Sequence, residues 1–227
     1  LDVQDTGGFG VGVYRLFDYT GSLAAFNGGL LASSTGLGIR IDSNSKQINL
    51  ISTVGVELNF WNADKLASPT QMGGGSGVWS STAANWTDAT GSVTAPRQPA
   101  DAFAIFGGAP GTVTVDGSAV AQGMQFISDG YRLTGDSLAL TGTTPGALGE
   151  VRVGDGSPAS AAWTTTIDNT LIGGGINKTG LGTLVLNGAN AYTQATRLSA
   201  GTLSVSADAN LGDAAAGLDF QGGTLRV

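Results

Sequence analysis

The chain has 227 residues, a net charge of −7, 12% charged residues and neither His nor Cys. Its length can bury a real core, and an apolar fraction of 41% excludes a disordered chain. The basic residues are scattered rather than clustered, which argues against nucleic acid or an anionic membrane surface as a partner. Gly makes up 38 residues without a strict every-third period, so a collagen-like chain is excluded. Instead Gly falls in turn dipeptides, among them Asn27-Gly28, Asp116-Gly117, Asp129-Gly130, Asp155-Gly156 and Asn187-Gly188. These sit between apolar alternations and predict many short strands joined by tight corners. The acidic excess comes mostly from Asp at such corners and reads as turn chemistry. No stretch is long and apolar enough to span a membrane as a helix. With no Cys, stability must come from stacking rather than cross-links.

In chain order, Val11–Tyr19 reads as a strand ending at Thr20-Gly21. Ile39–Ile41 and Gln47–Ile51 come next, separated by the polar run Asp42-Ser43-Asn44-Ser45, and Val54–Phe60 gives one more strand. Residues 61–77 break the pattern. Asn62–Met72 lacks Gly and carries Pro69, and Gly73-Gly74-Gly75-Ser76-Gly77 closes it. This reads as a crossover, with a short helical turn at Asn62–Ala67. Trp79 and Trp86 lie close together, and Pro96, Pro99 and Pro110 punctuate the stretch up to 110. Pro is hard to place in a central strand, so 87–101 is expected to be a loop leaving the regular structure. From 111 the pattern resumes with Gly111-Thr112-Val113-Thr114-Val115, Met124–Ile127, Tyr131–Leu133, Leu138–Leu140, Val151–Val153 and Thr166-Ile167. No segment holds a 3.6-residue apolar period, so almost no helix is expected. The organisation is thus three segments of one continuous solenoid: 1–60, the crossover and Trp/Pro-rich stretch 61–110, and regular turns over 111–227.

The most informative feature lies near the C-terminus. Gly182-Thr183-Leu184, Gly201-Thr202-Leu203 and Gly223-Thr224-Leu225 start strands spaced 19 and 22 residues apart. Short strands recurring at such a period mark a solenoid. Each has apolar residues at alternate positions, and one strand cannot bury that face alone. Leu184, Leu186, Leu203, Val205, Leu225 and Val227 are therefore expected to stack in one core. At about twenty residues per turn the chain would make about eleven turns. The fold class is all-β, a parallel β-helix with irregular loops leaving the coil.

Asn177-Lys178-Thr179-Gly180-Leu181-Gly182-Thr183-Leu184-Val185-Leu186-Asn187-Gly188-Ala189-Asn190-Ala191-Tyr192-Thr193 resembles the passenger-associated repeat of Gram-negative autotransporters. Ala200–Val205 supplies its second strand and Asn210-Leu211-Gly212 closes the unit, so the repeat covers 177–212. One departure is Gln194-Ala195-Thr196, where the family has Gly-Gly-Thr. Upstream, Gly77-Val78-Trp79 with Thr82–Thr87 is similar to the Trp-rich opening of larger passenger units, and Tyr14–Gly21 looks like the end of a preceding unit. The resemblance implies a right-handed parallel β-helix on the bacterial surface, anchored through a C-terminal outer-membrane barrel absent from this segment. It also implies an N-terminal export signal; Leu1 is no initiator Met, and Gly223–Val227 opens a further repeat, as expected of a piece of a longer protein. Large passengers of this kind are adhesins. They bind host extracellular-matrix or cell-surface proteins, fibronectin being the leading expectation, or they self-associate.

Enzymatic readings fare poorly. Gly135-Asp136-Ser137-Leu138 matches a lipase and esterase nucleophile box, but a Ser nucleophile needs a base and the chain has no His. Glu57 and Glu150 are the only Glu, which leaves little for a polysaccharide-cleaving carboxylate pair. No cofactor is expected: zinc and copper lack ligands, and no calcium-loop pattern exists. Gly154-Asp155-Gly156-Ser157 reads as a turn. Asn187, Asn190 and Asn210 read as amide ladders or turn caps. Loops on a rigid scaffold carry recognition, so the candidate ligand-binding residues are Asp88, Arg97, Gln98 and Asp101. Trp79 and Trp86 are candidate aromatic anchors, with the competing reading that they pin the loop to the coil. Three functions remain: an adhesin, a non-binding stalk or self-associating module, and, well behind, a polysaccharide-active enzyme.

Overall fold

The computed structural model describes residues 10–23, 37–66, 68 and 70–227. Among them the chain is all-β, with two short 3-10 turns, Pro158–Ala162 and Asp208–Leu211, as its helical content. The strands pair mainly in parallel and stack into sheets that the chain revisits in turn. The first sheet contains Leu58–Trp61, Phe103–Phe106, Gly123–Phe126, Gly149–Val153, Ile176–Thr179, Thr196–Leu198 and Leu218–Phe220, in that order. The second contains Gly77–Trp79, Thr112–Val115, Arg132–Gly135, Thr164–Ile167, Thr183–Leu186, Thr202–Ser204 and Thr224–Arg226. A third, of Ala119–Ala121, Leu138–Leu140 and Leu171–Gly173, closes three of the turns. Visiting the sheets in rotation, each time one strand further along, is what a coil requires, and the arrangement is consistent with a β-solenoid.

Register explains why these sequences take these places. Leu184 pairs with Leu203, and Leu203 with Leu225. In Thr183–Leu186 the burial alternates, Leu184 and Leu186 inside, Thr183 and Val185 outward. The main core runs from Trp61 and Phe106 through Phe126, Val153 and Leu171 to Leu203 and Val205, and a second cluster joins Val13 and Ile51 to Phe60, Phe103 and Ile105. Leu225 is half-buried against it, whereas Val227 is 89% exposed, because the last strand of the stack is covered on one side only. The corners use Gly where two turns nearly touch. Gly201 has φ +67°, and a Cβ there would lie 2.3 Å from the Gly180 carbonyl oxygen.

The asparagines expected as ladders or caps bind backbone on the neighbouring turn. Asn190 accepts from Leu171 N at 2.8 Å and donates to the Asn210 carbonyl at 2.6 Å. Asn210 donates to the Gly188 carbonyl at 2.9 Å. Asn187, by contrast, donates to Asp168 at 2.8 Å on the surface.

Two further expectations need correction. Among the described residues the second sheet has seven strands rather than about eleven, because turns vary in length and the strands before Leu58 lie outside the stack. Gly12–Asp18, Leu37–Asp42 and Gln47–Ser52 instead form an antiparallel sheet with Gln47–Ser52 in the middle. The polar run after Ile41 is its hairpin turn, where Asp42 Oδ1 accepts from Asn44 N at 3.0 Å and Ser45 N at 3.4 Å. This sheet docks on the coil through Gln125, whose amide accepts from Val13 N at 2.7 Å and donates to Val13 O at 2.7 Å. Arg15 pairs with buried Asp155 at 2.6 Å alongside. Second, 87–101 does not simply leave the coil. Trp86–Thr87 and Thr94–Ala95 form a small hairpin that extends the first sheet beyond Leu58–Trp61, running antiparallel to it. Pro96 comes directly after the edge strand, where no further ladder bond is needed.

This packing gives two tests. Thr165 pairs with Leu184 in the stacked core, is fully buried, and its hydroxyl has no partner. Thr165→Val removes an unsatisfied buried hydroxyl and should stabilise the chain by about 1 kcal/mol in denaturant titration. Lys178, also fully buried, donates to the carbonyls of Thr179, Gly180 and Ala200 at 2.7, 2.9 and 3.1 Å. Burial pushes its pKa from 10.5 down to about 7. Between those values the unfolded chain holds more protons, so stability should rise as pH increases from 7 toward 9.5 and fall in the other direction. In Lys178→Met that slope should flatten, as read from unfolding midpoints across the same pH range.

Candidate functional site

The candidate residues gather where the regular stacking ends. Trp86 packs edge-on against Trp61 and Trp79, with ring centroids 5.1 and 5.0 Å apart. Phe106 lies 5.6 Å from Trp86 and stacks on Phe126 at 4.8 Å, so the aromatic series continues down the core. Trp79 and Trp86 are 3% and 1% exposed. As placed, they present no open face to a partner; they hold the loop against the coil, the competing reading of these two rings.

Arg97 is the clamp on that loop. It is 4% exposed, with its guanidinium 4.7 Å from the Trp79 ring centroid and 5.0 Å from that of Trp86. Its nitrogens donate to the carbonyls of Ala100, Val120 and Ala102. Burial pushes its pKa down to about 9, and Asp101 opposes that shift. A guanidinium this enclosed serves the fold rather than a partner, because reaching it would require breaking those bonds. Asp101 is half-buried and accepts from Gln122 Nε2 at 3.4 Å.

Asp88 and Gln98 are placed differently, for both are exposed. Asp88 Oδ1 caps the hairpin tip, accepting from Thr90 N, Thr90 Oγ1 and Gly91 N at 2.9, 2.6 and 3.1 Å. The backbone of Gln98 is held both ways by the Asn59 side chain, N to Oδ1 at 2.9 Å and O from Nδ2 at 3.0 Å. Its own side chain remains on the surface. Asn59, on Leu58–Trp61, is not visible as a site residue in the sequence; an Asn at an inward strand position facing Pro-flanked residues 39 positions later leaves no local signal.

Two depressions flank the Pro96–Gln98 ridge, and Gln98 lines both. One, about 210 Å³, is formed by Asn59, Trp86, Thr87, Asp88, Val93, Ala95, Pro96 and Gln98. The other, about 270 Å³, lies between Trp79, Ser80, Ser81, Arg97 and Ser118–Val120. A larger cleft of about 430 Å³ lies elsewhere, between the 42–47 hairpin turn and the coil corners at 64–66 and 127–129. It contains Asp42, Asp64 and Asp129, yet among the described residues no three acidic side chains gather where a metal ion could be held. Ser137 sits on the surface beside Ser118, hydroxyls 3.3 Å apart.

The fold and the site together describe a rigid, repeat-built surface with a clamped loop at one end. Comparison with known proteins shows what the chain is similar to. Residues 176–205 match the passenger-associated-transport-repeat. Over its whole length the chain is 43% identical to the "Adhesin BmaC autotransporter" of Brucella suis biovar 1 (strain 1330), and it spans 7% of that protein. No solved structure matches it significantly. The repeat and the full-length match support an autotransporter passenger fragment. Among the described residues no helix is long and apolar enough to cross a membrane.

The clamp is testable. Arg97→Met leaves three carbonyls without their donor and should cost about 3 kcal/mol. Cleavage within 87–101 under limited proteolysis should accelerate. Arg97→Lys should not restore protection, because an ammonium cannot span three carbonyls while stacking on two rings.

Proposed function

We propose that this segment is an adhesive module of a bacterial surface protein, held at the outer membrane by a barrel elsewhere in the parent chain. Its partner on this reading is a host extracellular-matrix or cell-surface protein, with fibronectin first in line. The observation that carries the reading is the 87–101 loop. It is tied to a rigid stack by Arg97 and Asn59, while Asp88, Val93 and Gln98 stay exposed on its outer surface. Clamping before binding reduces the entropy lost on association, and likeness to a named adhesin across the whole chain supports a binding role. The chain lacks His, and its two Glu lie far apart in sequence, so the reading is of a binder and not an enzyme. Contact through a small, polar surface favours micromolar affinity.

A second reading, a spacer that holds other modules away from the cell, draws support from the regular repeat-bearing turns after Ile167. One experiment separates the two. Asp88→Ala, Val93→Ser and Gln98→Ala together remove the exposed side chains and spare the clamp. The triple variant should keep its β-rich circular dichroism and lose at least about tenfold in affinity for immobilised fibronectin or another matrix protein that the parent segment binds. Unchanged binding would remove the loop from consideration. No binding of the parent segment to any of a matrix panel would favour the spacer.

A further inference from the structure

The cleft of about 430 Å³ shares no lining residue with the two depressions at the 87–101 loop. Three carboxylates from separate segments line it: Asp42 in the hairpin turn, and Asp64 and Asp129 at coil corners. Each is held in place through one oxygen only. Asp42 Oδ1 accepts from Asn44 N and Ser45 N, Asp64 Oδ1 from Leu66 N at 3.2 Å, and Asp129 Oδ1 from Thr164 N at 2.7 Å. Among the described residues, Oδ2 of each has neither a hydrogen bond nor an ion pair. Asp64 and Asp129 are exposed; Asp42 is only 6% exposed, yet its Oδ2 keeps contact with solvent. Trp163 is the one aromatic residue in the lining, half-buried and packed against the core. Leu66, Met72 and Ile127 make the rest partly apolar. Arg15 also lines the cleft, but its guanidinium is already paired with Asp155 at 2.6 Å and Asp18 at 3.5 Å.

These features select among possible guests. Three acidic side chains without a cationic partner repel an anion and draw in a cation. A bare metal ion fits poorly, because the three carboxylates do not gather at one point. A neutral polyol would meet the acceptor oxygens but leave their charge uncompensated. A guanidinium answers each feature. Its five N–H donors lie in one plane and can reach oxygens spread around a cleft, and that plane stacks on an aromatic ring. Its aliphatic stem can lie along Leu66, Met72 and Ile127. An ammonium is more compact and more strongly hydrated, so it can serve fewer of the carboxylates at once. We propose that this cleft is a docking site for an arginine side chain of a partner protein. The backbone bonds to Oδ1 set the carboxylates before the guest arrives, which reduces what association must order. The site is separate from the 87–101 loop and does not depend on the adhesive reading of that loop.

The test uses capped amino acids as probes and reads Trp163 directly. In the 15N-labelled segment, the Trp163 Nε1–H resonance is followed while N-acetyl-arginine amide, N-acetyl-lysine amide, N-acetyl-citrulline amide or glucose is added. Citrulline keeps the shape of arginine and removes its charge. Trp61, whose indole N–H donates to the Gly75 carbonyl at 2.8 Å, is the internal reference. The arginine probe should shift Trp163 saturably in the millimolar range, about tenfold more tightly than citrulline or glucose, and more tightly than lysine, with Trp61 unmoved. Added salt should weaken it. Asp64→Asn with Asp129→Asn keeps the Oδ1 acceptors and removes two charges. This double variant should retain its β-rich circular dichroism and lose at least about tenfold in affinity for the arginine probe. The loop variant carrying Asp88→Ala, Val93→Ser and Gln98→Ala should bind the probe as the parent does, which separates this site from the loop. A Trp163 resonance that the arginine probe does not move, or that citrulline, lysine or glucose moves as tightly, overturns the proposal. So does a double variant that binds the arginine probe unchanged.

Discussion

Every turn of this chain has an apolar strand face that only the neighbouring turn can cover. Leu184 is dry because Leu203 is stacked beside it, and Leu203 because Leu184 and Leu225 are stacked on either side. The stability of any one strand is therefore a nearest-neighbour quantity. Corner glycines and asparagines serve the same constraint. Gly201 lets two turns approach to contact, and Asn190 and Asn210 bind backbone across the gap, holding adjacent turns in one register. Where no further turn of the same kind is available, the protein must seal the stack by other means. It does so with Trp61, Trp79 and Trp86, whose large rings cover the end of the aliphatic core.

That seal is what joins fold to function. Trp86 belongs to the core through its ring and to the surface pocket through its position on the end hairpin. Arg97 fills the space over two of the indoles and anchors a loop that would otherwise hang free. Rigidity at the candidate site is thus inherited from the core rather than built locally. The exposed side chains of Val93 and Gln98 differ from the clamp in that neither is needed to cover the stack, whereas Asp88 also caps the hairpin tip.

Much of the fold is legible in the sequence for a simple reason. A spacing repeated along the chain encodes a stacking repeated in space, so periodicity alone places Leu184, Leu186 and Leu203 in the core. The absence of helix is legible in the same way. What escapes is information carried by single long-range contacts. Asn59 holding Gln98, Gln125 bridging to Val13, and Arg97 reaching Val120 each join residues far apart in sequence, and none leaves a periodic trace. The Trp86–Ala95 hairpin reads as a loop because its strands are two residues each, too short to show alternation. Among the candidate site residues, Asp88 and Gln98 are at the surface, while Arg97, Trp79 and Trp86 are interior. Residue type alone does not separate those cases, because a buried Arg satisfied by carbonyls looks the same in sequence as an exposed one.

The pairing also shows which parts of a turn are free to vary. Thr183 comes 19 residues after Thr164 in the second sheet, yet Thr166 comes 34 after Arg132, and both pairs keep the same inward and outward faces. The additional residues, including the 3-10 turn Pro158–Ala162, are taken up in the connection, and the strands do not register them. Foreign sequence grafted into such a connection would be presented at a fixed height along the rod. A chain built this way is a natural display scaffold, with positions set by the rung number rather than by the length of what is carried.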